Sequence, residues 1–213
     1  MRRPEFIARQ AARPRGWIGR ALARWMAVET AAANEAALDF LHLRASDRVL
    51  EIGFGHGRTI ERAAKRVLSG SVAGIDHSEA MLRAARRRCS PLIADGRVQL
   101  QCADSARLPF PNGSFEKALG VHTLYFWQPP AAHLREVRRV LVPGGRLVLA
   151  FRPAGTGGAA DFPPNVYTFH TADDVHDLLM AADFTAIEFV RHAPELVLAA
   201  AHVPPLESSQ KTS

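Results

Sequence analysis

The chain alternates short apolar runs with longer amphipathic stretches. Each run is five or six residues long, which suits the strands of a buried parallel sheet. The strand candidates lie at 48–52, 71–75, 97–102, 116–121 and 146–151. Helices are expected between them at 56–68, 78–89 and 131–141, the second capped by Ser78. This alternation predicts a doubly wound, Rossmann-like α/β fold.

The pattern changes after Phe151. Glycines and prolines between 155 and 164 predict a flexible crossing. Thr171, with Asp174 three residues later, predicts the start of a helix near 172–182. Two further apolar runs are expected to pair as an antiparallel edge, which completes a seven-stranded, mostly parallel sheet. These runs lie at 185–190 and 196–202.

Residues 1–45 lie outside the sheet pattern and are expected to form an N-terminal helical cap, with a helix at about 27–41. Residues 1–25 carry seven arginines and one acid, interleaved with tryptophans. Three alternatives stay open for them: a lid over a substrate pocket, an amphipathic element on a membrane surface, and a transit peptide. The sheet domain is expected over 46–203 and a disordered tail over 204–213.

Glycines alternate where the first strand ends, at Gly53, Gly55 and Gly57. Glu51 precedes them, and Asp76 ends the second strand. Glycine has no Cβ, so the backbone can approach a ligand closely, and a carboxylate at the next strand tip can bind two ribose hydroxyls. The pattern therefore predicts a nucleotide-like ligand at this edge of the sheet. A carboxylate at such a tip is expected to contribute little to folding.

The glycine spacing argues against a dinucleotide. The dinucleotide fingerprint needs a small third residue, but the two possible frames place Arg58 or Ile60 there. Glu51 would also repel a pyrophosphate and attract a cationic ligand. S-adenosylmethionine carries an ammonium and a sulfonium and no phosphate. An NAD-dependent oxidoreductase is the alternative that these two features oppose.

From about Asp47 to Phe151 the chain resembles the class I S-adenosylmethionine-dependent methyltransferases. The glycine loop, Asp76, the pair Ala103-Asp104 and the segment 134–145 occur in the order found in that family. The resemblance implies that S-adenosylmethionine is the cofactor and that 46–203 binds it: the glycine loop at the methionine part, Asp76 at the ribose and Asp104 at the adenine. The implied cofactor-binding residues are Glu51, Gly53, Phe54, Gly55, Gly57, Asp76, His77, Met81, Ala103, Asp104, Ser105 and Val121.

The end of the fourth strand, 120–129, indicates the class of acceptor. It lacks the Asp/Asn-Pro-Pro-aromatic motif of nucleic-acid amino-methyltransferases, and the chain lacks the paired glutamates of protein arginine methyltransferases. Elimination favours a small-molecule acceptor, and the expected reaction moves a methyl group to an oxygen, nitrogen or carbon nucleophile of a small, apolar or aromatic metabolite. Two alternatives stay open: a membrane-associated lipid or quinone as acceptor, and a non-catalytic cofactor-binding protein.

His122 and Tyr125 are the candidate catalytic residues. An imidazole that titrates near neutrality can accept a proton from a hydroxyl or amine, although His122 could equally serve only to hydrogen-bond a neighbouring loop. Tyr125, Phe126 and Trp127 are expected either to form an aromatic wall beside the acceptor or to pack under the following helix. The nine histidines show no metal-ligand spacing, so no metal is expected.

Composition fits one domain with a substantial core, since the chain has 213 residues of which 47% are hydrophobic. The net charge is +6, but the many helical arginines favour solvated helix faces over a nucleic-acid groove. Two cysteines and no apolar run of about 20 residues predict a cytoplasmic protein. The expected partner is a small-molecule acceptor, contact with a membrane surface through 1–25 stays open, and no segment indicates an oligomeric state.

Overall fold

The computed structural model describes residues 30–157, 159 and 162–206. The strands are β1 (Arg48–Ile52), β2 (Ser71–Asp76), β3 (Val98–Cys102), β4 (Phe115–Val121), β5 (Leu141–Phe151), β6 (Thr185–Ala193) and β7 (Leu196–His202). The helices are α1 (Ala31–Phe40), α2 (Arg58–Arg66), α3 (Glu79–Arg88), α4 (Ser90–Ala94), α5 (Pro130–Val140) and α6 (Ala172–Met180), and Leu124–Phe126 forms a single 3₁₀ turn. Within these ranges no helix is long and apolar enough to cross a membrane.

The described residues form one seven-stranded sheet in the order β3-β2-β1-β4-β5-β7-β6. Strands β1 to β5 are parallel, and β7 runs antiparallel to both of its neighbours. Helices α1, α2 and α3 cover one face, and α5 and α6 cover the other. The predicted fold is confirmed. The strand order reverses beside β1, and α/β sheets of this kind bind ligands at that point, outside the carboxyl ends of the strands.

In the antiparallel pair at the sheet edge, β7, which comes later in the chain, lies between β5 and the edge strand β6. Residues 196–201 of β7 are all buried, whereas β6 is mostly exposed or half-buried. The more apolar segment therefore lies between β5 and β6, where its side chains are covered on both faces. The helix that precedes this pair, α6, begins with the predicted capping box, because Thr171 and Asp174 each accept a hydrogen bond from the backbone N–H of the other.

The observed boundaries differ from the predicted ones at proline and glycine residues that predict the end of an element. Strand β5 begins at Leu141 instead of 146, because the chain passes Pro143 and Gly144 with a shift in its register against β4. Pro91 lies in the first turn of α4, where a missing N–H costs nothing. Helix α2 starts at Arg58, since Gly57 is still in a left-handed conformation.

Most of the expectations for the two ends of the chain concern residues outside the described ranges. The lid, membrane-surface and transit-peptide alternatives for 1–25 lie outside the described residues and stay predictions. Of the predicted helix at 27–41, the described part contains α1. Of the predicted tail, 204–206 lack regular secondary structure, and 207–213 lie outside the described residues.

Arg146 on β5 anchors α1 to the sheet. Its side chain is buried and donates two hydrogen bonds, of 3.2 and 3.0 Å, to the carbonyl oxygen of Phe40 at the end of α1. The guanidinium also lies 5.0 Å from the centre of the Phe40 ring. It donates further to Glu188 on β6 at 2.7 Å and to Nε2 of His202 on β7 at 2.9 Å. One buried cation therefore joins α1 to three strands.

Replacing Arg146 by Met is expected to lower the free energy of unfolding by about 2–4 kcal/mol, because the Phe40 carbonyl loses its donors and the anchor of α1 is lost. The matched control is Arg48→Met, which breaks the partly exposed ion pair with Glu116 and should cost about 0–1 kcal/mol. Urea denaturation measures both values, and an unchanged m-value validates the comparison. Equal losses in the two variants would contradict the anchoring role.

Candidate functional site

A cavity of about 730 Å³ opens at the carboxyl edge of the sheet, beside β1 where the strand order reverses. The loop after β1, the ends of β2, β3 and β4, and the 3₁₀ turn supply most of its walls. Thr30 and Asn34, at the beginning of α1, also line it. The helix that Arg146 anchors at its far end therefore contributes one wall of the site.

The three loop glycines all have left-handed backbones, with φ of 78° at Gly53, 54° at Gly55 and 77° at Gly57. A Cβ on Gly53 would lie 2.4 Å from Cγ2 of Thr123, and one on Gly57 would lie 2.9 Å from Cβ of Ala85. A Cβ on Gly55 would meet no atom of the described residues within 4 Å. The outer glycines therefore permit close packing, whereas Gly55 borders the open cavity.

Asp76 connects the glycine loop to the second strand and to α3. Its buried carboxylate accepts a hydrogen bond from the Gly55 N–H at 2.9 Å and another from the Ser78 N–H at 2.8 Å. Burial raises the pKa of the carboxyl, and these two donors act in the opposite direction. The sequence predicts that Asp76 contributes little to folding, whereas the two backbone donors that its carboxylate satisfies favour a larger contribution.

Glu51 is the most deeply buried acid of the cavity, with 3% of its surface exposed. The Thr59 hydroxyl donates a hydrogen bond to it, yet its Oε2 has no partner among the described residues. Burial, together with the negative charge of Asp76, raises the pKa of this carboxyl to about 8. A buried carboxylate oxygen without a partner, beside an open glycine loop, fits the ammonium group of a ligand.

The third part of the cavity follows β3. Ala103, Asp104 and Ser105 line it, and Asp104 accepts a hydrogen bond from the Ala106 N–H at 2.9 Å. The Ser105 hydroxyl lies 2.7 Å from Nδ1 of the buried His133, whose ring stacks on Trp127 at 5.3 Å between centres. Sequence reasoning missed His133, because its position in α5 resembles any buried helix position until Ser105 is placed opposite it.

The structure brings the predicted cofactor-binding residues together. All of them line the cavity except Gly57, which packs against α3. His122 lines the cavity as well, whereas Tyr125 lies behind it with 5% of its surface exposed. Sequence reasoning also missed Asn34 and His56, and neither position carries a local signal. Within the described ranges no three His, Cys, Asp or Glu side chains converge as metal ligands would.

His122 and Tyr125 form a hydrogen-bonded pair at the end of β4. Nδ1 of His122 lies 2.9 Å from the Tyr125 hydroxyl, which also accepts a hydrogen bond from the backbone N–H of Arg152. His122 has a left-handed backbone, with φ of 56°, that turns the chain out of the sheet. Burial and the positive charge of Arg152 lower the pKa of His122 to about 4. The imidazole is therefore neutral at physiological pH.

Comparison with known proteins identifies the family. A family model for a methyltransferase domain matches residues 49–145. The uncharacterized methyltransferase YdaC of Bacillus subtilis is 30% identical over 128 residues, which cover 60% of this chain and 68% of YdaC. The chain belongs to the class I S-adenosylmethionine-dependent methyltransferases. The predicted family and the predicted cofactor, S-adenosylmethionine, are confirmed.

A further relative of this methyltransferase chain and one solved structure show how far the likeness extends. The 27-O-demethylrifamycin SV methyltransferase of Amycolatopsis mediterranei is 38% identical over 109 residues, or 51% of this chain and 40% of that one. A phosphoethanolamine N-methyltransferase of Haemonchus contortus, solved with S-adenosylhomocysteine, has a TM-score of 0.71 at 18% identity, covering 81% of this chain and 52% of that one. The latter likeness concerns the fold alone. The chain spans between 40% and 68% of the length of the curated relatives it matches.

The raised pKa of Glu51 generates a prediction about pH. Below pH 8 the carboxyl is mostly protonated, so it has to release a proton before it can pair with a ligand ammonium. The affinity for S-adenosylhomocysteine is expected to fall about fiftyfold as the pH is lowered from 8 to 6, with the fall approaching tenfold per pH unit at the lower end. Glu51→Gln should remove this dependence and weaken binding at pH 8. Isothermal titration in two buffers of different ionisation enthalpy measures both the affinity and the released proton.

The control is Glu61→Gln, which changes a partly exposed acid of α2 that does not line the cavity. A second readout is stability without ligand. Between about pH 4.5 and pH 8 the unfolded chain ionises Glu51 while the folded chain keeps it protonated, so stability falls as the pH rises through this window. Glu51→Gln should therefore stabilise the protein at pH 8. A Glu51→Gln variant that keeps the parent's pH dependence of binding would contradict this assignment.

Proposed function

We propose that this methyltransferase moves a methyl group from S-adenosylmethionine to a nucleophile on a small, apolar or aromatic metabolite. The observation that carries the proposal is one continuous cavity that contains two different kinds of wall. One is acidic and rich in glycine, with Glu51 and Asp76. The other contains the aromatic side chains Phe126 and Trp127. The first wall suits a cationic cofactor, and the second suits an apolar acceptor.

The cofactor half of the proposal assigns one task to each polar group. Oε2 of Glu51 receives the ammonium, and the Asp76 carboxylate, which has further lone pairs beside its two backbone donors, receives the ribose hydroxyls. Ala103 and Asp104 border the adenine. When bound, the cofactor supplies a methyl group on a positively charged sulfur. The chain's part is to align an acceptor with that methyl group and to exclude water.

The part of the cavity that we assign to the acceptor is built from the 3₁₀ turn and α1. The Phe126 ring contacts Tyr125 and Tyr167, at 6.1 and 4.9 Å between ring centres, so its orientation in the wall is held from behind. Asn34 and Gln128 add amide groups at the cavity surface, which can hydrogen-bond a polar substituent of the acceptor. The likeness to a methyltransferase named for an O-demethylrifamycin favours oxygen as the nucleophile.

We also propose a cytoplasmic location. Cys89 and Cys102 are present as thiols, and a reducing compartment preserves thiols. The same compartment supplies the cofactor and soluble metabolites. This location is compatible with an acceptor that diffuses into the cavity from solution.

The full chain should release S-adenosylhomocysteine when it is incubated with S-adenosylmethionine and a fractionated metabolite extract. The control is Asp76→Ala, which removes the proposed ribose ligand, with Glu51→Gln as a second control that keeps the backbone clamp at Asp76. Mass spectrometry of the active fraction identifies the methylated product. Cofactor binding without release in any fraction would contradict the proposal and favour a non-catalytic cofactor-binding protein.

Phe126→Ala tests the aromatic wall. Removing the ring should raise the KM for the acceptor about tenfold, because one apolar wall of its site is lost, and leave the affinity for S-adenosylhomocysteine unchanged. Steady-state kinetics and calorimetry measure the two quantities separately. The matched control is Phe110→Ala, another half-buried phenylalanine, which does not line the cavity. A weaker affinity for S-adenosylhomocysteine with an unchanged KM for the acceptor would assign Phe126 to the cofactor-binding part of the cavity instead.

A further inference from the structure

The direction of the hydrogen bond between His122 and Tyr125 follows from the other partners of the tyrosine. The Tyr125 hydroxyl accepts a hydrogen bond from the Arg152 N–H, which can only donate. Its own hydrogen is buried and needs an acceptor, and among the described residues Nδ1 of His122 is the group within reach. Tyr125 therefore donates to Nδ1 of His122.

The opposite assignment leaves a buried group unpaired. With the proton on Nδ1 of His122, two N–H groups would point at one hydroxyl oxygen, and the hydroxyl hydrogen would have no acceptor among the described residues. A doubly protonated ring is disfavoured further by the charge of Arg152, whose guanidinium is held nearby through Glu195 at 2.8 Å. The neutral ring with its proton on Nε2 is the arrangement in which every partner is satisfied.

The two ring nitrogens of His122 face different surroundings. Tyr125, the partner of Nδ1, does not line the cavity, whereas His122 does. Among the described residues, the hydrogen bond of the His122 ring is made by Nδ1. Nε2 is therefore the nitrogen left for the cavity. It presents an N–H there, and the lone pair that a general base would need is engaged by Tyr125.

We propose that His122 donates a hydrogen bond from Nε2 to an oxygen of the methyl acceptor, and that Tyr125 is the positioning residue that fixes this tautomer. The proposal rests on the proposed function and deepens it by naming the acceptor class. A donor at this position suits an acidic hydroxyl compound, such as a phenol or an enol, that arrives as its oxyanion.

The transfer then balances without a base from the protein. A lone pair of the acceptor oxyanion forms the new C–O bond, the C–S bond breaks, and its electron pair returns to the sulfur as the sulfonium becomes a neutral thioether. No proton has to leave the acceptor inside the cavity. His122 holds the oxygen in line, in place of the proton-accepting role that is one of the two alternatives left open by the sequence.

The first test reads the tautomer directly in the full chain saturated with S-adenosylhomocysteine. Histidine ring nitrogens labelled with ¹⁵N are observed by long-range ¹H–¹⁵N correlation at pH 7, and His122→Gln assigns the signals. The expected result is a neutral His122 ring with its proton on Nε2. Tyr125→Phe should add signals of the other tautomer, whereas Tyr167→Phe, a hydroxyl removed from the same aromatic cluster, should not. A parent ring protonated on Nδ1, or on both nitrogens, would overturn the proposal.

The second test separates donation from proton acceptance, with the acceptor fraction found in the metabolite extract as the probe. A glutamine amide N–H can replace the Nε2–H donor but cannot act as a base. His122→Gln should therefore keep kcat within about fivefold of the parent, whereas His122→Ala should lose about a hundredfold. Equal losses in the two variants would overturn the donor role. Failure of the parent to release S-adenosylhomocysteine would contradict the proposed function, and the acceptor contact with it, while the tautomer is still decided by the first test.

Discussion

The carboxyl edge of the sheet depends on the buried carboxylate of Asp76. By accepting the N–H groups of Gly55 and Ser78, this side chain joins the loop after β1 to the start of α3 across the end of β2. The loop needs such a tie, because its three glycines have left-handed backbones and no side chains of their own to hold it. A rigid but open loop is what allows a ligand to lie close to the backbone.

The same arrangement brings two acids together where little water reaches them. Asp76 raises the pKa of Glu51 by its negative charge, in addition to the larger effect of burial, and one oxygen of Glu51 is left without a partner among the described residues. Such a site is less stable than an apolar one of the same shape. The ammonium group that we propose for Glu51 would pair with that carboxylate, so the acid that destabilises the empty protein favours a cationic ligand.

The proposed acceptor side of the cavity is assembled from parts that are far apart in the chain. Arg146 anchors the end of α1, and the beginning of that helix contributes Thr30 and Asn34. The 3₁₀ turn contributes Phe126, which contacts Tyr167, and the residue after the turn, Trp127, stacks on His133. Changes in any of these segments would reshape the acceptor site without touching the glycine loop. This separation lets one fold serve different acceptors.

The sequence by itself determined the strands, the glycine loop, the acid at each key position and the capping box of α6, because these features follow from short-range rules of periodicity, φ preference and local hydrogen bonding. Tertiary structure alone decided that β7 lies inside β6, that His133 meets Ser105, that Arg146 holds α1, and that Tyr125 lies behind His122 instead of in the cavity. These are contacts between side chains whose partners come from packing, and a residue type does not specify which group will lie opposite it. The chemistry of His122 is the clearest case, since an imidazole is a donor or an acceptor according to a tyrosine hydroxyl and a backbone N–H that only the fold brings together.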